Sequence, residues 1–516
     1  MRSLVDLGRI RGIEVEHQAL VTINGKTQPE FFMAPERQNV FFEKLLPPEL
    51  TSSWLTPMVN WLFLANGAKI GIDSGWHPEY ATQEVDCSLV ALSCEKAGEN
   101  IMAGIAKRAN EYWKEYGITV RFFKNNLDAS GHADHSCGMH ESYMFLRDED
   151  KLRMAYVVEL LWPHLVSRSF YTGNGWVDKE LSFHISQRAK AIEAFLTGAT
   201  TSKRPIVNTR DEPHADAEKY RRIHIIVGDS LMADTAIYLR SGTTALILDM
   251  IEEGFLTECP FRCENDERKV KILHDFSQDI TLRKPVKFDS GNYTMVDVQE
   301  WYFERAQEYC EKTGRMSGER EDVLRRWGDR ITYARSDDPV GVLSSCVDWA
   351  AKKCLIEEDM KRYGYGFNTP PDSEITVLKR DPKTGKRKEV RSRVFDHLKA
   401  LDLKFLELGA QGYMQKLIET GFIERLATDE MIRAVEYGPV PDLRSCARAD
   451  AWQWYVAEAQ RRGRVLTEAA DWMYFAAKDG DERIERFGKM KDPYESRLKL
   501  LSAPEDTDSQ GPTEAP

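Results

Sequence analysis

Hydrophobic and polar residues alternate with a period of two in three stretches of the chain, residues 12–21, 68–73 and 221–229. Successive side chains of a β-strand point to opposite faces, so each stretch predicts a strand with one face made mainly of isoleucine and valine. The opposite faces carry Glu14 and Glu16 on the first strand, Lys69, Gly71 and Asp73 on the second, and Arg222 and His224 on the third. The pattern predicts a sheet that packs one face on a core and presents the other to a ligand.

A longer period predicts helices elsewhere in the chain. In residues 88–116 apolar side chains recur every four positions from Ile101 to Trp113, and a further strand follows at residues 118–124. Other predicted helices cover residues 234–253, 321–335, 342–363, 396–419 and 447–462. This irregular mixture of strands and helices predicts an α+β fold.

The composition narrows the possible function classes. The 516 residues carry a net charge of −12, which does not favour nucleic-acid binding. No apolar run approaches the roughly 20 residues of a membrane helix, so no membrane partner is expected. Nine cysteines occur without a CxxC pair, and the N-terminus lacks the apolar segment of a signal peptide. We therefore expect a cytoplasmic protein.

The polar strand faces suggest a phosphate and metal site. One face of the second strand carries the Lys69 ammonium, no side chain at Gly71, and the Asp73 carboxylate. The first strand adds the carboxylates of Glu14 and Glu16. Carboxylate oxygens suit Mg²⁺, which often keeps phosphate oxygens in its coordination shell. The chain has neither a GxxxxGK[ST] loop nor a GxGxxG motif, so a nucleotide would lie on the sheet itself. For any one strand, a solvated polar face remains an alternative.

Two polar segments allow more than one interpretation. In "HADHSCGMHE", residues 132–141, the potential ligands His132, His135, Cys137 and His140 lie too close together for the usual zinc arrangement, which argues against zinc. The charged run before the third strand is either a solvated loop or a source of a phosphate-binding arginine, Arg210, with carboxylates for an amine substrate.

A basic β-hairpin is predicted at about residues 366–395. The segment "ITVLKRDPKTGKRKEVRSRVF" has two extended arms around a turn, with eight lysines or arginines between Lys379 and Arg393. It is either a solvated ribbon or a docking surface for an acidic partner.

Several motifs together resemble the Pup–protein ligase family (proteasome accessory factor A), which belongs to the carboxylate–amine ligases related to glutamine synthetase. These motifs include "GIEVE", "NGAKIGIDSGWHPEYATQE", "FKNN", "GMHESY", "NTRDEPHADAEKYRRIHIIVGDS" and "GTTALILDMIEEG". The resemblance runs from about residue 12 to about residue 500. It implies a glutamine-synthetase-like curved antiparallel sheet with helices packed on one face, and a small C-terminal domain.

The resemblance also implies an activity. Such ligases use ATP and Mg²⁺ to phosphorylate the C-terminal glutamate side chain of a small acidic Pup-like modifier, then join it to a lysine of a target protein. Asp73 would be the catalytic base, because a lysine ammonium must lose a proton before it attacks. The resemblance implies Glu14, Glu79 and Gly71 as metal positions and Lys69, Thr82 and Trp472 as ATP positions. The polar strand faces and the charged run add Glu16 and His224 to the metal positions, and Arg210 and Arg222 to the ATP positions.

Two positions depart from the family pattern. Lys69 stands where the family has an ATP-binding arginine. A guanidinium, which can donate two parallel hydrogen bonds to one phosphate, is thus replaced by an ammonium, which acts as a single point charge. Gly71 stands where the family has a metal-associated tyrosine. These departures indicate a divergent member.

The alternatives are the deamidase and depupylase branch of the same superfamily and a small-molecule glutamate–amine ligase. The deamidase branch carries a long loop after the first strand, whereas only about fifty residues separate Glu14 from Asn66 here. The predicted domains are a catalytic domain over 1–425, containing the basic hairpin, a C-terminal domain over 426–500, and a disordered tail over 501–516.

Overall fold

The computed structural model describes residues 5, 8–57, 60–73, 75–127, 136–148, 151–199, 202–380 and 386–499. The predicted tail, the tip of the basic hairpin, and the two loop histidines His132 and His135 lie outside these described residues.

The main element is an eight-stranded sheet. In spatial order its strands are Ala194–Thr197, Pro205–Asn208, Tyr220–Ile225, Met139–Leu146, Arg11–Glu16, Pro78–Ala81, Lys69–Ile72 and Trp61–Phe63. Neighbouring strands are antiparallel except at one edge, where the first two pair in parallel. The predicted α+β class with an antiparallel sheet is confirmed, with this one parallel pair as an exception.

The register of the sheet brings the predicted polar side chains to one face. Glu16 pairs with Glu79, and Glu79 pairs on its other side with Gly71. Residues directly opposite each other in an antiparallel pair point to the same face. Ile13, on the opposite face of its strand, is 2 % exposed. The period-two pattern of the sequence therefore marks the two faces of the folded sheet.

Helices cover the apolar face of the sheet. The two longest against it, Ser88–Tyr112 and Asp234–Glu252, also pack on each other, and the second is buried along most of its length. Buried ion pairs cross this layer: the Lys124 ammonium lies 2.8 Å from a Glu95 carboxylate oxygen, and the Arg240 guanidinium also pairs with Glu95. Each of these three buried charges thus has a partner of opposite sign, as a low-dielectric interior requires.

The chain has further helices, some in this layer and some outside it. They are Pro35–Val40, Met154–Ser167, Ser169–Thr172, Gln187–Ala191, Asp266–Gln278, Met295–Thr313, Gly318–Arg335, Pro339–Leu343, Asp348–Tyr363, Val394–Phe405, Tyr413–Glu419, Asp429–Tyr437 and Arg444–Arg462, with short turns of 3₁₀ or π helix at Phe31–Met33, Phe41–Leu45 and Lys114–Tyr116. No helix among the described residues is both long and apolar enough to cross a membrane.

Some predicted elements are divided in the structure. The stretch 12–21 breaks at the buried His17, where the chain leaves the main sheet, and Gln18–Ile23 pairs instead with Ile118–Phe123 and Lys26–Thr27. The predicted helix 396–419 breaks near Gly409, whose φ of 83° is left-handed. Such a φ suits glycine, which has no Cβ to clash with the backbone. Two minor ribbons pair Trp176–Val177 with Phe183–His184, and Val286–Lys287 with Asn292–Tyr293.

The basic hairpin has the predicted form. Glu374–Arg380 and Arg387–Arg393 pair antiparallel over seven residues each, and the side chains of the second arm are mostly exposed.

The C-terminal part forms a second hydrophobic cluster around the helix Arg444–Arg462. A small sheet covers it, made of Leu55–Thr56, Leu466–Glu468, Ala477–Asp479 and Glu482–Ile484. The first of these strands comes from the N-terminal part of the chain, and the helix Asp429–Tyr437 packs on Ser88–Tyr112 in the main core. The predicted boundary after residue 425 stays a prediction.

Candidate functional site

The polar face of the main sheet is the floor of an open cleft of about 680 Å³. Nine of the predicted site residues line this cleft: Glu14, Glu16, Lys69, Asp73, Glu79, Arg210, Arg222, His224 and Trp472. Strand register brings together residues far apart in the sequence, such as Glu14 on the first strand and His224 on the strand Tyr220–Ile225.

Three carboxylates meet at the centre of the cleft. One oxygen each of Glu16, Asp73 and Glu79 lies within 4.8 Å of the others. Burial raises the pKa of Glu79 well above its usual value, and the negative charges of Glu14 and Glu16 add to this rise. Like charges this close repel each other, and a divalent cation between them would remove the repulsion.

The turn after the second polar strand fixes Asp73. Its Oδ1 accepts hydrogen bonds from the backbone N–H groups of Gly75, at 2.9 Å, and His77, at 3.1 Å. Burial and the nearby Glu16 carboxylate raise the pKa of Asp73, and His77 opposes the rise. A fixed carboxylate with a raised pKa is a better proton acceptor than an exposed one.

A carboxylate and two histidines form a second group beside the first. His140 Nδ1 lies 3.4 Å from Glu14 Oε2, and the rings of His140 and His224 are edge to face at 5.2 Å. Burial, and then the charge of Arg222, lower the pKa of His224 well below its usual value. Neither ring nitrogen of this buried histidine has a hydrogen-bond partner among the described residues. A neutral imidazole with free nitrogens is able to ligate a metal.

These two groups fit divalent cations. Burial would raise the pKa of Glu14, but the hydrogen bond from His140 and the positive charge of Arg222 outweigh it, so this pKa lies below the usual value. Glu14 is therefore ionised and available as a ligand. The donor set of carboxylates with one or two imidazoles is compatible with Mg²⁺ and phosphate oxygens.

Lys69 lies against aromatic rings at the edge of the carboxylate group. Its Nζ lies 4.8 Å from the ring centroid of Trp61 and 6.0 Å from that of Trp472. Burial lowers the pKa of this lysine, and the charge of Glu468 opposes the change. The ammonium is thus held by cation–π contacts close to where phosphate groups would need positive charge.

Gly71 brings no side chain into the cleft, because Trp61 occupies the space. A Cβ on Gly71 would lie 2.4 Å from the Trp61 ring, its cross-strand partner. An indole from the neighbouring strand therefore fills the space that a side chain at position 71 would need. Trp61 was not among the predicted site residues, because no strand was predicted at residues 61–63.

Thr82 lies outside the polar cleft, in a smaller and more apolar pocket beside it. Its hydroxyl accepts a hydrogen bond from the Ile13 N–H at 3.0 Å and donates one to the Gln83 carbonyl at 3.0 Å. The pocket is also lined by Gly12 and Trp472.

The cleft contains further side chains that sequence analysis did not assign to it. His77 and Arg188 line it, and His214 adopts a left-handed backbone with a φ of 47°. His77 could have been found, since it lies between Asp73 and Glu79 in one turn. Arg188 gave no signal, because its helix Gln187–Ala191 is short.

An antiparallel sheet with carboxylates, histidines and cations on its open face defines an α+β protein whose ligand cleft lies on the sheet itself. Comparison with known proteins then gives the particular group. Residues 36–475 match the model of the Pup-ligase protein family, and the chain belongs to this family.

Relatives and solved structures agree with this membership. The Pup–protein ligase of Mycobacterium sp. (strain KMS) is 32 % identical over 509 residues, covering 96 % of this chain and 99 % of the relative. A crystal structure of the complex between the prokaryotic ubiquitin-like protein Pup and its ligase PafA superposes with a TM-score of 0.73 at 28 % identity, covering 95 % of this chain and 90 % of the other. The Pup ligase PafA in complex with ADP gives 0.68 at 30 % identity, with 87 % and 88 % covered.

Proposed function

We propose that this chain is an ATP-dependent ligase that joins the C-terminal glutamate side chain of a small acidic Pup-like modifier to lysines of target proteins. The observation that carries the proposal is the carboxylate group Glu16, Asp73 and Glu79 on the cleft floor of a chain whose curated relatives are Pup–protein ligases. A carboxylate is a poor electrophile, so ATP must first convert the modifier's glutamate into an acyl phosphate.

Asp73 is proposed as the base that accepts a proton from the incoming lysine. Its carboxylate is fixed by two backbone N–H groups, and its raised pKa favours proton uptake. The raised pKa is due mainly to burial and to Glu16. The resulting free amine is the nucleophile that attacks the activated carbonyl.

Glu14, Glu16, Glu79 and His224 are proposed to hold Mg²⁺. When bound, Mg²⁺ offsets phosphate charge and draws electrons from the phosphate that is transferred. The close approach of the carboxylates and the unpaired nitrogens of His224 support this assignment. Gly71 has no side-chain ligand to offer, and its contribution is limited to the space that Trp61 fills.

Lys69, Arg210 and Arg222 are proposed to face the ATP phosphates. All three line the same cleft as the carboxylates, and Lys69 is kept in place by aromatic rings. Trp472 borders both the cleft and the smaller apolar pocket that contains Thr82. An apolar pocket beside a charged cleft suits the base of a nucleotide whose phosphates lie in the cleft.

A cytoplasmic location is part of the proposal. All nine cysteines are free thiols in the structure, as a reducing compartment would keep them.

The test is a reaction with purified protein, a modifier that ends in glutamate and a lysine-bearing target. We expect ADP release in step with conjugate formation, since each isopeptide bond requires one activated carboxylate. A ligase must also keep water from its acyl phosphate. Cleavage of preformed conjugate without net ATP consumption, and with no conjugate formed, would assign the chain to the amide-hydrolysing branch instead.

A further inference from the structure

A second potential metal site adjoins the carboxylate group. One ligand atom each of Glu16, His77 and Cys137 lies within 4.8 Å of the other two. His77 Nδ1 lies 3.4 Å from Glu16 Oε2 and 3.9 Å from Asp73 Oδ1. Glu16 therefore belongs to both groups: an all-oxygen group with Asp73 and Glu79, and a mixed group of sulfur, nitrogen and oxygen.

The backbone holds the three side chains in this arrangement. Gly138 N–H donates to Glu16 Oε2 at 2.7 Å, and Glu16 N–H donates to the Gly138 carbonyl at 3.0 Å. This ties Cys137 to the end of the first strand, and Cys137 N–H donates to the Asn126 carbonyl at 3.0 Å. The His77 N–H donates to Asp73 Oδ1. The cluster is thus built by hydrogen bonds that do not depend on a bound ion.

Burial leaves one side of the cluster open. Cys137 is 2 % exposed, whereas the His77 side chain is 26 % exposed, and both line the cleft. A metal ion would therefore reach the cluster from the cleft and keep one coordination position towards it.

The donor set and spacing favour zinc over a hard cation. Zn–N and Zn–O bonds of about 2.0–2.2 Å in a tetrahedron put the two ligand atoms about 3.3–3.5 Å apart. The distance between His77 Nδ1 and Glu16 Oε2, 3.4 Å, falls in that range. A thiolate and an imidazole are ligands of Zn²⁺, whereas Mg²⁺ prefers oxygen.

We propose that Glu16, His77 and Cys137 form a Zn²⁺ site with three protein ligands and one open position. This site differs from the zinc loop considered in residues 132–141, where Cys137 was grouped with the neighbouring histidines. In the structure Cys137 is joined by His77, sixty positions earlier in the chain, while His140 is directed to Glu14.

Zinc at this site would compete with the reaction centre. A bound Zn²⁺ would take the Glu16 carboxylate away from the all-oxygen group and the His77 ring away from Asp73. The inhibition that this implies rests on the proposed ligase function. The site itself does not rest on that function and is tested without ATP, modifier or target.

The experiment is a titration of the metal-free chain with Co²⁺, which reports a thiolate ligand by its near-ultraviolet charge-transfer band. We expect the charge-transfer band to saturate with about one thiolate-bound Co²⁺ per chain and to be lost on addition of Zn²⁺ but not of Mg²⁺. The charge-transfer band should be absent in Cys137→Ser and unchanged in Cys446→Ser. In His77→Asn, the apparent affinity for Co²⁺ read from this band should fall at least about tenfold. Cys446 is a partly exposed thiol outside the cleft and serves as the matched control.

A second measurement covers the case in which Cys137→Ser does not fold. X-ray absorption of the wild-type chain loaded with one Zn²⁺ should show a single sulfur neighbour at about 2.3 Å and a histidine contribution. A zinc shell without sulfur, or a cobalt band that persists in Cys137→Ser, would overturn the proposal. If the cobalt band is intact but no conjugate forms, the proposed ligase function is contradicted and the zinc site is not.

Discussion

Replacement of Glu84 by glutamine should destabilise the protein by about 3–5 kcal/mol, the usual cost of breaking a buried ion pair. The Glu84 carboxylate is 7 % exposed and lies just after the turn that carries Asp73. Its Oε1 accepts hydrogen bonds from Arg444 Nε and Arg448 Nη1, both at 2.9 Å, and both arginines make further contacts with it. Glutamine would leave two buried guanidinium groups without a counter-charge.

The same ion pairs connect the C-terminal helix to the cleft. Arg444 Nη1 donates to the His214 carbonyl at 2.6 Å, and Arg448 Nη1 donates to the Trp472 carbonyl at 3.2 Å. The Arg448 guanidinium also lies 4.9 Å from the Trp472 ring centroid. Because His214 and Trp472 line the cleft, we expect the Glu84 variant to bind nucleotide more weakly as well.

The assay is urea unfolding followed by tryptophan fluorescence, with Glu458→Gln as the matched control. Glu458 also accepts hydrogen bonds from two arginines of the same helix, but these reach solvent: the Arg461 and Arg462 side chains are 70 % and 23 % exposed, against 3 % and 0 % for Arg444 and Arg448. Solvent screens such pairs, so the control should unfold at nearly the wild-type urea concentration. Equal midpoint shifts for the two variants would refute the argument from burial.

The pH dependence provides a second check on Glu84. Burial alone would raise its pKa, but Arg448 and Arg444 outweigh burial and hold the pKa well below its usual range. A lowered folded-state pKa gives stability that is present above the unfolded-state pKa of about 4.3 and is lost as the pH falls towards the folded-state pKa. The stability difference between wild type and Glu84→Gln should therefore shrink below about pH 4. A difference that grows with acidity would contradict this assignment.

Three further predictions concern the cleft and the hairpin. Asp73→Asn should abolish conjugate formation while the Kd for ATP changes only a few-fold, and substantial residual ligation would remove Asp73 from the base role. Glu79→Ala should weaken Mg²⁺-dependent ATP binding by at least about tenfold, because a ligand carboxylate is lost; calorimetry showing unchanged affinity would exclude Glu79 as a ligand. Reversal of Lys386, Arg387 and Lys388 to glutamate should raise the KM for an acidic modifier and flatten its salt dependence. The same KM at low salt would mean that the hairpin is a solvated ribbon.

The polar faces of the strands could be predicted from sequence because side-chain direction on a strand is a local property. Glu14 and Glu16 project together for the same reason that Val15 between them is buried. Lys69 and Asp73 follow the same rule on their own strand. Which strands lie side by side was implied only by the family resemblance, since no local pattern specifies strand order.

The central strand Met139–Leu146 was not predicted, and the reason is a buried charge. Glu141 points to the core face at 0 % exposure, where alternation requires an apolar residue. Its carboxylate is compensated by Arg168 and by the Tyr143 hydroxyl at 2.8 Å. The arginine comes from the end of a separate helix, so the compensation becomes visible only when the two elements pack.

Position 71 illustrates a limit of reading a site one residue at a time. A glycine in place of the family's tyrosine suggests that an aromatic group has been lost from the cleft floor. Cross-strand pairing puts Trp61 opposite Gly71, and the indole fills the space that a side chain at position 71 would need. The same indole lies under the Lys69 ammonium, with Nζ 4.8 Å from the ring centroid. Positions 69 and 71 are therefore spatially linked through Trp61: a tyrosine at position 71 would displace the ring that supports the lysine.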